Sequence, residues 1–258
     1  MYEDLKFDLC CGARVLYRNG LSWGIAGHLS ILVGPDRMIA NRFGPSFATV
    51  APDDVLTLDF EGNIVDGTGF VNDTIRLHGV IHKYNPGIGA VAHTHPPGVV
   101  TYSALGKIPE VYDQESCFLA GDVGIVEEEY NGLASSEDRV KGCAQALGRY
   151  RAVILPNHGA ITSGNDIREA IIGMMLLEGM VQRNLAVESA GRVTGVKPRP
   201  IAPEIARMTR QELNGLQATG MIWDDLMAKL RQSDPDLFTI WEKAAKDAMP
   251  VMKATKSV

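Results

Sequence analysis

Apolar positions recur at helical spacing over residues 4–18 (DLKFDLCCGARVLYR), and Asn19-Gly20 supplies a stop, so the pattern predicts a first helix. Trp23-Gly24-Ile25-Ala26-Gly27-His28 follows as a glycine-marked loop, running into a short strand over Leu29 to Val33. Val55-Leu56-Thr57-Leu58-Asp59, then Glu61-Gly62-Asn63, predicts strand, turn and strand. Residues 73–84 (DTIRLHGVIHKY) predict a helix stopped by Asn85-Pro86-Gly87. Ala90 to His95 predicts a strand cut off by Pro96-Pro97. A second clear helix is expected over residues 136–149, a buried strand over Ala152 to Leu155, and a long apolar helix from Ile167 to Ala190, starting near Asn165 and ending at Gly191.

Alternation of strands and helices over the first 190 residues predicts an α/β fold, a sheet covered by helices. Pro198, Pro200 and Pro203 mark residues 197–203 as a linker, which divides the chain into a domain over 1–196 and a C-terminal helical extension over 197–258. No internal repeat or low-complexity segment stands out. A chain of 258 residues buries roughly 70–75% of its unfolded surface and needs no disulfide staples.

Composition narrows the function. The formal net charge is −6 and no basic stripe or polybasic run is present, which argues against nucleic-acid and membrane-surface partners. Cys10, Cys11, Cys117 and Cys143 form no C-x-x-C pair and suit reduced, buried thiols. The acidic N-terminus lacks a signal-peptide pattern, and no apolar run of about 18 residues suggests a spanning helix. A cytoplasmic location is the expectation that remains.

All six histidines lie between positions 28 and 158. His93 and His95 are two apart on a predicted strand, so both rings project from one face, roughly 6.6–6.8 Å apart at the backbone. Both can therefore reach one divalent ion at metal–nitrogen distances of about 2.0–2.1 Å. His158, in Leu155-Pro156-Asn157-His158-Gly159-Ala160, ends a buried strand where a tight turn can present a third imidazole. Three protein nitrogens leave coordination positions open, the mark of a catalytic rather than a structural site. Three imidazoles suit zinc, manganese, iron or cobalt; the expectation is one ion per chain, zinc or manganese. His78 and His82, four apart on one helix face, can pack against the metal strand without touching metal.

At these residues the chain resembles the class II aldolase/adducin family. The resemblance is carried by Gly27-His28-Leu29-Ser30, Leu77-His78-Gly79-Val80-Ile81-His82, Ala90-Val91-Ala92-His93-Thr94-His95 and Asn157-His158-Gly159, spanning roughly residues 8 to 190. It is nearest the adducin-like branch, in which Gly-His replaces the Gly-Asn of the sugar-phosphate aldolases. The resemblance implies a three-layer α/β/α domain, a homotetramer with active sites at subunit interfaces, and a divalent ion that stabilises the charge left when a carbon–carbon bond breaks.

Departures from the family pattern shape the substrate. Where sugar-phosphate members bind phosphate, this chain has Gly27-His28, Phe43-Gly44 and Asn72-Asp73-Thr74. Phe43 removes a hydroxyl donor and Asp73 adds negative charge, so a carboxylate or an aromatic ring is expected instead, contacted by His28, Phe43, Gly44 and Asn72. The catalytic Glu of the family aligns with Thr74, which cannot act as an acid or base near neutral pH. Asp73, or else Glu115 or Asp113 in Asp113-Gln114-Glu115, is the candidate replacement. Decarboxylation needs no base to create the carbanion. The expected activity is therefore a metal-dependent carbon–carbon lyase for a small non-phosphorylated hydroxy or aromatic acid, with decarboxylation ahead of retro-aldol cleavage. A non-catalytic, adducin-type interaction module is the alternative. Trp223 and Trp241 in the C-terminal helices either cap the site of a neighbouring subunit or simply pack.

Overall fold

A computed structural model of the chain, which describes residues 2–127, 132 and 137–248, folds around one eight-stranded sheet. The strands are β1 (His28–Gly34), β2 (Arg37–Asn41), β3 (Val55–Asp59), β4 (Ile64–Asp66), β5 (Ala90–Thr94), β6 (Val123–Ile125), β7 (Ala152–Leu155) and β8 (Gly159–Gly164). Their order is β4-β3-β2-β1-β5-β8-β7-β6, with only β6 and β7 parallel.

Helices cover both faces, giving the three-layer α/β/α arrangement. On one face lie α2 (Arg76–Tyr84) and α4 (Glu137–Leu147), whose Leu77, Ile81, Val140 and Ala144 pack on Val91, Val153 and Ile161. On the other lie α1 (Glu3–Arg18) and α5 (Ile167–Thr194), packed on Leu29, Ile31, Ala90, Ala92 and Ala160. Successive β5 residues alternate between the layers, as strand geometry requires: Ala90 and Ala92 meet α5, while Val91 and His93 turn toward α2.

Several elements depart from the sequence expectation. Residues 73–75 form a 3-10 turn before α2 begins at Arg76. β2, β6 and β8 were not foreseen, nor was α3 (Pro97–Ser103), which starts where Pro96-Pro97 was expected only to end a strand. The helix expected over 136–149 spans Glu137–Leu147, its first residue lying outside the described residues. α5 starts after an Asp166 cap that accepts from Glu169 N–H at 3.1 Å, and it passes Gly191 to end at a left-handed Gly195. At 28 residues, α5 has the length and apolar composition of a bilayer-crossing helix. Half of its most apolar window is buried against the sheet and its partners, as befits a core helix.

The C-terminal helices are α6 (Pro203–Gly215), α7 (Ala218–Ser233) and α8 (Pro235–Ala248); residues 249–258 of the expected extension lie outside the described residues. Trp223, Leu226, Leu230, Leu237 and Phe238 join the core on the α1/α5 side, and Trp241 stacks on Phe7 at 4.7 Å. Both tryptophans thus pack within the chain. A buried ion pair fastens this junction: Arg14, 4% exposed, contacts Asp234, 1% exposed, at 3.0 Å, and Arg18 reaches the same carboxylate at 2.9 Å. Arg14 also contacts the exposed Asp236 at 2.9 Å, so losing Asp234 takes away the buried counter-ion and leaves a solvent-exposed one. Asp234→Ala is expected to lower the unfolding free energy by about 3 kcal/mol, measured by urea titration.

Candidate metal centre

The site assembles where β5 meets the β7–β8 hairpin. His93 is the last but one residue of β5, and His95 follows the strand on the same face. His158 stands in the three-residue turn Pro156-Asn157-His158, with Leu155 paired to Gly159 and His158 N–H donating to Leu155 O at 3.1 Å. That turn needs Asn157 in the left-handed region, φ 54°, a conformation Asn tolerates better than most residues. Gly159 is required by close approach: a Cβ there would fall 2.5 Å from Thr94 O and 2.7 Å from the His95 ring.

The three imidazoles converge. Ring centroids are 4.9 Å apart for His93–His95, 4.9 Å for His93–His158 and 4.8 Å for His95–His158, and one ligand atom from each lies within 4.8 Å of the others. Three nitrogens on one tetrahedral ion stand about 3.3 Å apart, so small side-chain rotations bring them into place. His93 Nδ1–H donates to Ala160 O at 2.9 Å, which fixes the tautomer and leaves Nε2 bare toward its neighbours. His95 Nε2 is buried with no hydrogen-bond partner among the described residues, and coordination to an ion would satisfy it. Burial holds the His93 imidazole well below its usual pKa, with the neighbouring histidines adding to it; burial and His95 bring His158 down to about 4, and burial lowers His95. Each ring is therefore neutral at pH 7, the form that ligates a metal.

His28 pairs with His93 across β1 and β5, and the two ring centroids are 5.6 Å apart. The Thr74 hydroxyl donates to Asn72 Oδ1 and so accepts from His28 Nε2–H at 2.9 Å. Among the described residues, Thr74 is therefore linked to His93 only through His28. Asn72 is half-buried and Asp73 exposed. Phe43 is half-buried, its N–H donating to Phe70 O at 2.8 Å and its ring edge-on to Phe70 at 5.9 Å. Gly44 is exposed with φ 126°. Glu115 is not brought to the histidines: it is exposed and ion-paired with Arg183 of α5, in the other layer.

One network escaped the sequence reading because it depends on strand register. His82 Nδ1–H donates to Ile88 O at 3.2 Å, leaving Nε2 to accept from the Ser30 hydroxyl at 2.9 Å. Ser30 in turn accepts from His78 Nδ1–H at 2.7 Å. The helix histidines thus fasten α2 to β1 beneath His28, and among the described residues they join no cluster with metal-ligand geometry.

Residues 7–185 match the family model for the class II aldolase and adducin N-terminal domain. The chain belongs to the class II aldolase and adducin family. It is 27% identical to decarboxylase NovR of Streptomyces niveus over 241 residues, covering 92% of this chain and 87% of that relative. It is also 27% identical to the 3,4-dihydroxyphthalate decarboxylase of Arthrobacter keyseri over 195 residues, 71% of this chain and 78% of the other. Among solved structures, L-fuculose 1-phosphate aldolase from Glaciozyma antarctica superposes with TM-score 0.80 at 27% identity, covering 91% of each chain. These relatives, decarboxylases and an aldolase, support an enzyme of the class II aldolase type, a lyase. They place the chain in the family as a whole without singling out its adducin-like branch.

Proposed function

We propose that the chain is a divalent-metal-dependent carbon–carbon lyase for a small, non-phosphorylated hydroxy or aromatic acid, with decarboxylation ahead of retro-aldol cleavage. The convergence of His93, His95 and His158 carries this reading. Its donor set fits zinc or manganese, one ion per chain, with positions left for substrate oxygens. A bound ion supplies Lewis acidity worth several kcal/mol where charge develops.

The protein's own groups do the rest. His93 is held by Ala160 O, so its free nitrogen stays aimed without reorganisation. His28, fixed by Thr74, lies one strand away and can orient a substrate oxygen. The substrate carboxylate leaves as carbon dioxide, the bonding pair stays on carbon, and a proton delivered there completes the exchange. Asp73, next to Thr74, is the proposed donor in this chain; Glu115, held by Arg183 in the other layer, could serve only a neighbouring subunit. A threonine where the family has its acid–base Glu favours decarboxylation, which needs no base to form the carbanion. The NovR relative, matched along most of the chain, points the same way. Phe43 packed on Phe70, with no hydroxyl at that position, argues against a phosphate substrate. Retro-aldol cleavage is the second reading, supported by the superposition on the fuculose phosphate aldolase.

We further propose a cytoplasmic homotetramer with interfacial sites; the exposed Trp23, Ile25 and Phe70 would suit subunit contacts, and sedimentation velocity tests the assembly. For the activity, zinc- or manganese-loaded protein is expected to release carbon dioxide from at least one member of a panel of hydroxybenzoic and hydroxy acids. Release of an aldehyde from hydroxy acids instead selects the retro-aldol reading. A metal-loaded protein inert toward the whole panel supports a non-catalytic interaction module.

A further inference from the structure

Extending the β1–β2 register (Ser30↔Ala40, Ile31↔Ile39) by two residues sets Arg42 opposite His28, which itself pairs with His93. Opposed residues of antiparallel strands project from the same face, so Arg42, His28 and His93 form a row across the sheet. Packing agrees. Met38 and Ala40 lie under Ile75 and Val71, and the Arg42 chain runs so close to Gly69 that a Cβ there would sit 2.7 Å from its Cδ. Two inter-strand steps separate the Arg42 and His93 backbones by about 10 Å.

The guanidinium is held but not used up. Its Nε–H donates to Asp54 Oδ1 at 2.7 Å, while Asp54 Oδ2 accepts from Ala51 N–H at 3.0 Å. Nη1 and Nη2 have no hydrogen-bond partner among the described residues, and 35% of the side chain is exposed. Nη1 lies 3.9 Å from where a Cβ of Gly44 would stand, so the missing side chains at Gly44 and Gly69 keep the fork accessible. Phe43 follows Arg42 and Phe70 follows Gly69, and their rings meet edge-on at 5.9 Å, an apolar wall for an aromatic body. A planar guanidinium anchored through one nitrogen offers the other two for paired hydrogen bonds to a carboxylate.

We infer that Arg42 anchors a second carboxylate of the substrate, one the reaction retains, so that the acid taken by this chain carries two anionic groups. The inference rests on the lyase reading above. A departing carboxylate loses its charge as the bond breaks, so a guanidinium on it would stabilise the starting acid more than the transition state. A carboxylate that keeps its charge can be held without that penalty.

The test compares hydroxyterephthalate with salicylate, which lacks the second carboxylate, by calorimetry on zinc-loaded and chelator-treated protein. The parent is expected to bind hydroxyterephthalate at least about tenfold more tightly, with the ratio falling to about one in Arg42→Met. Arg42→Lys keeps a charge for Asp54 but loses the fork, and should give an intermediate ratio. Thermal unfolding midpoints establish that each variant is folded. A parent without the preference overturns the assignment, as does an undiminished ratio in Arg42→Met or, if that variant does not fold, in Arg42→Lys. A ratio lost in Arg42→Met when no protein binds zinc supports Arg42 and counts against the metal reading. Zinc binding with an unchanged ratio does the reverse.

Discussion

A His93→Ala, His95→Ala double variant, purified without chelator, is expected to carry less than about a tenth of an ion per chain, against about one in the parent. Removing two of three nitrogen donors leaves a single imidazole, which cannot hold a divalent ion against water. Lyase turnover should fall by on the order of a thousandfold or more, since the ion's contribution is several kcal/mol and each tenfold in rate corresponds to about 1.4 kcal/mol. His93 is 3% exposed, so its truncation opens a cavity as well. His95→Ala alone, at a half-buried position, separates the two effects: it should lose metal while keeping the parent's circular dichroism. Metal analysis beside turnover decides the matter, and a double variant that retains a full equivalent of ion would remove His93 and His95 from the ligand set.

The histidine cluster was legible because its geometry is local. An H-x-H pair on a strand shares one face whatever the surrounding fold, and the Pro156-Asn157-His158 turn announces itself through a proline and an asparagine suited to left-handed backbone. β7 was legible as an uninterrupted apolar run, and β5 as Ala90-Val91-Ala92 leading into the H-x-H pair. β8 was not: Gly159-Ala160-Ile161-Thr162-Ser163-Gly164 has glycine at both ends and buried hydroxyls. It is a central strand because β5 and β7 flank it, and because the Thr162 hydroxyl donates to Ala170 O at 2.7 Å in α5. α3 was hidden behind Pro96-Pro97. Proline at the first helical position is compatible with a helix, and this one is capped by Glu178, some 80 residues away, whose carboxylate accepts from Gly98 and Val99 N–H at 2.9 Å each. Ser30 and Arg42 have the same explanation. A serine between two histidines, or an arginine opposite a third, takes on meaning only once the strand register is known.

Metal-free protein is expected to lose stability as the pH falls from about 6.5 toward 4, and His82 supplies a measurable share. His82 is 1% exposed; burial lowers its pKa to about 4, although its bond to Ile88 O pulls the other way. Burial, with His28 and His82 adding to it, also holds His78 well below its usual value. In the unfolded chain both return to about 6.5. Since the folded values are the lower ones, the unfolded chain binds more protons throughout this window. The stabilisation is therefore complete above about pH 6.5 and is lost as the pH drops. At pH 5 the loss through His82 alone is about 2 kcal/mol, a large share of a typical 5–15 kcal/mol. His78 acts in the same direction. Asp234, which burial would raise but which hydrogen bonds from Arg18, Ser233 and Arg14 hold at about 2, contributes only once the pH falls below about 4, in a separate window. Urea titrations of chelator-treated parent and His82→Gln at pH 7.5 and 5.0 read the effect, because burial, the main cause of the His78 shift, is common to both proteins. The variant should start less stable, having lost its bond to Ser30, yet fall by about 2 kcal/mol less between the two pH values. Equal losses in the two proteins would show that His82 takes up its proton without leaving the fold, and that the link from α2 to β1 survives a charged imidazole.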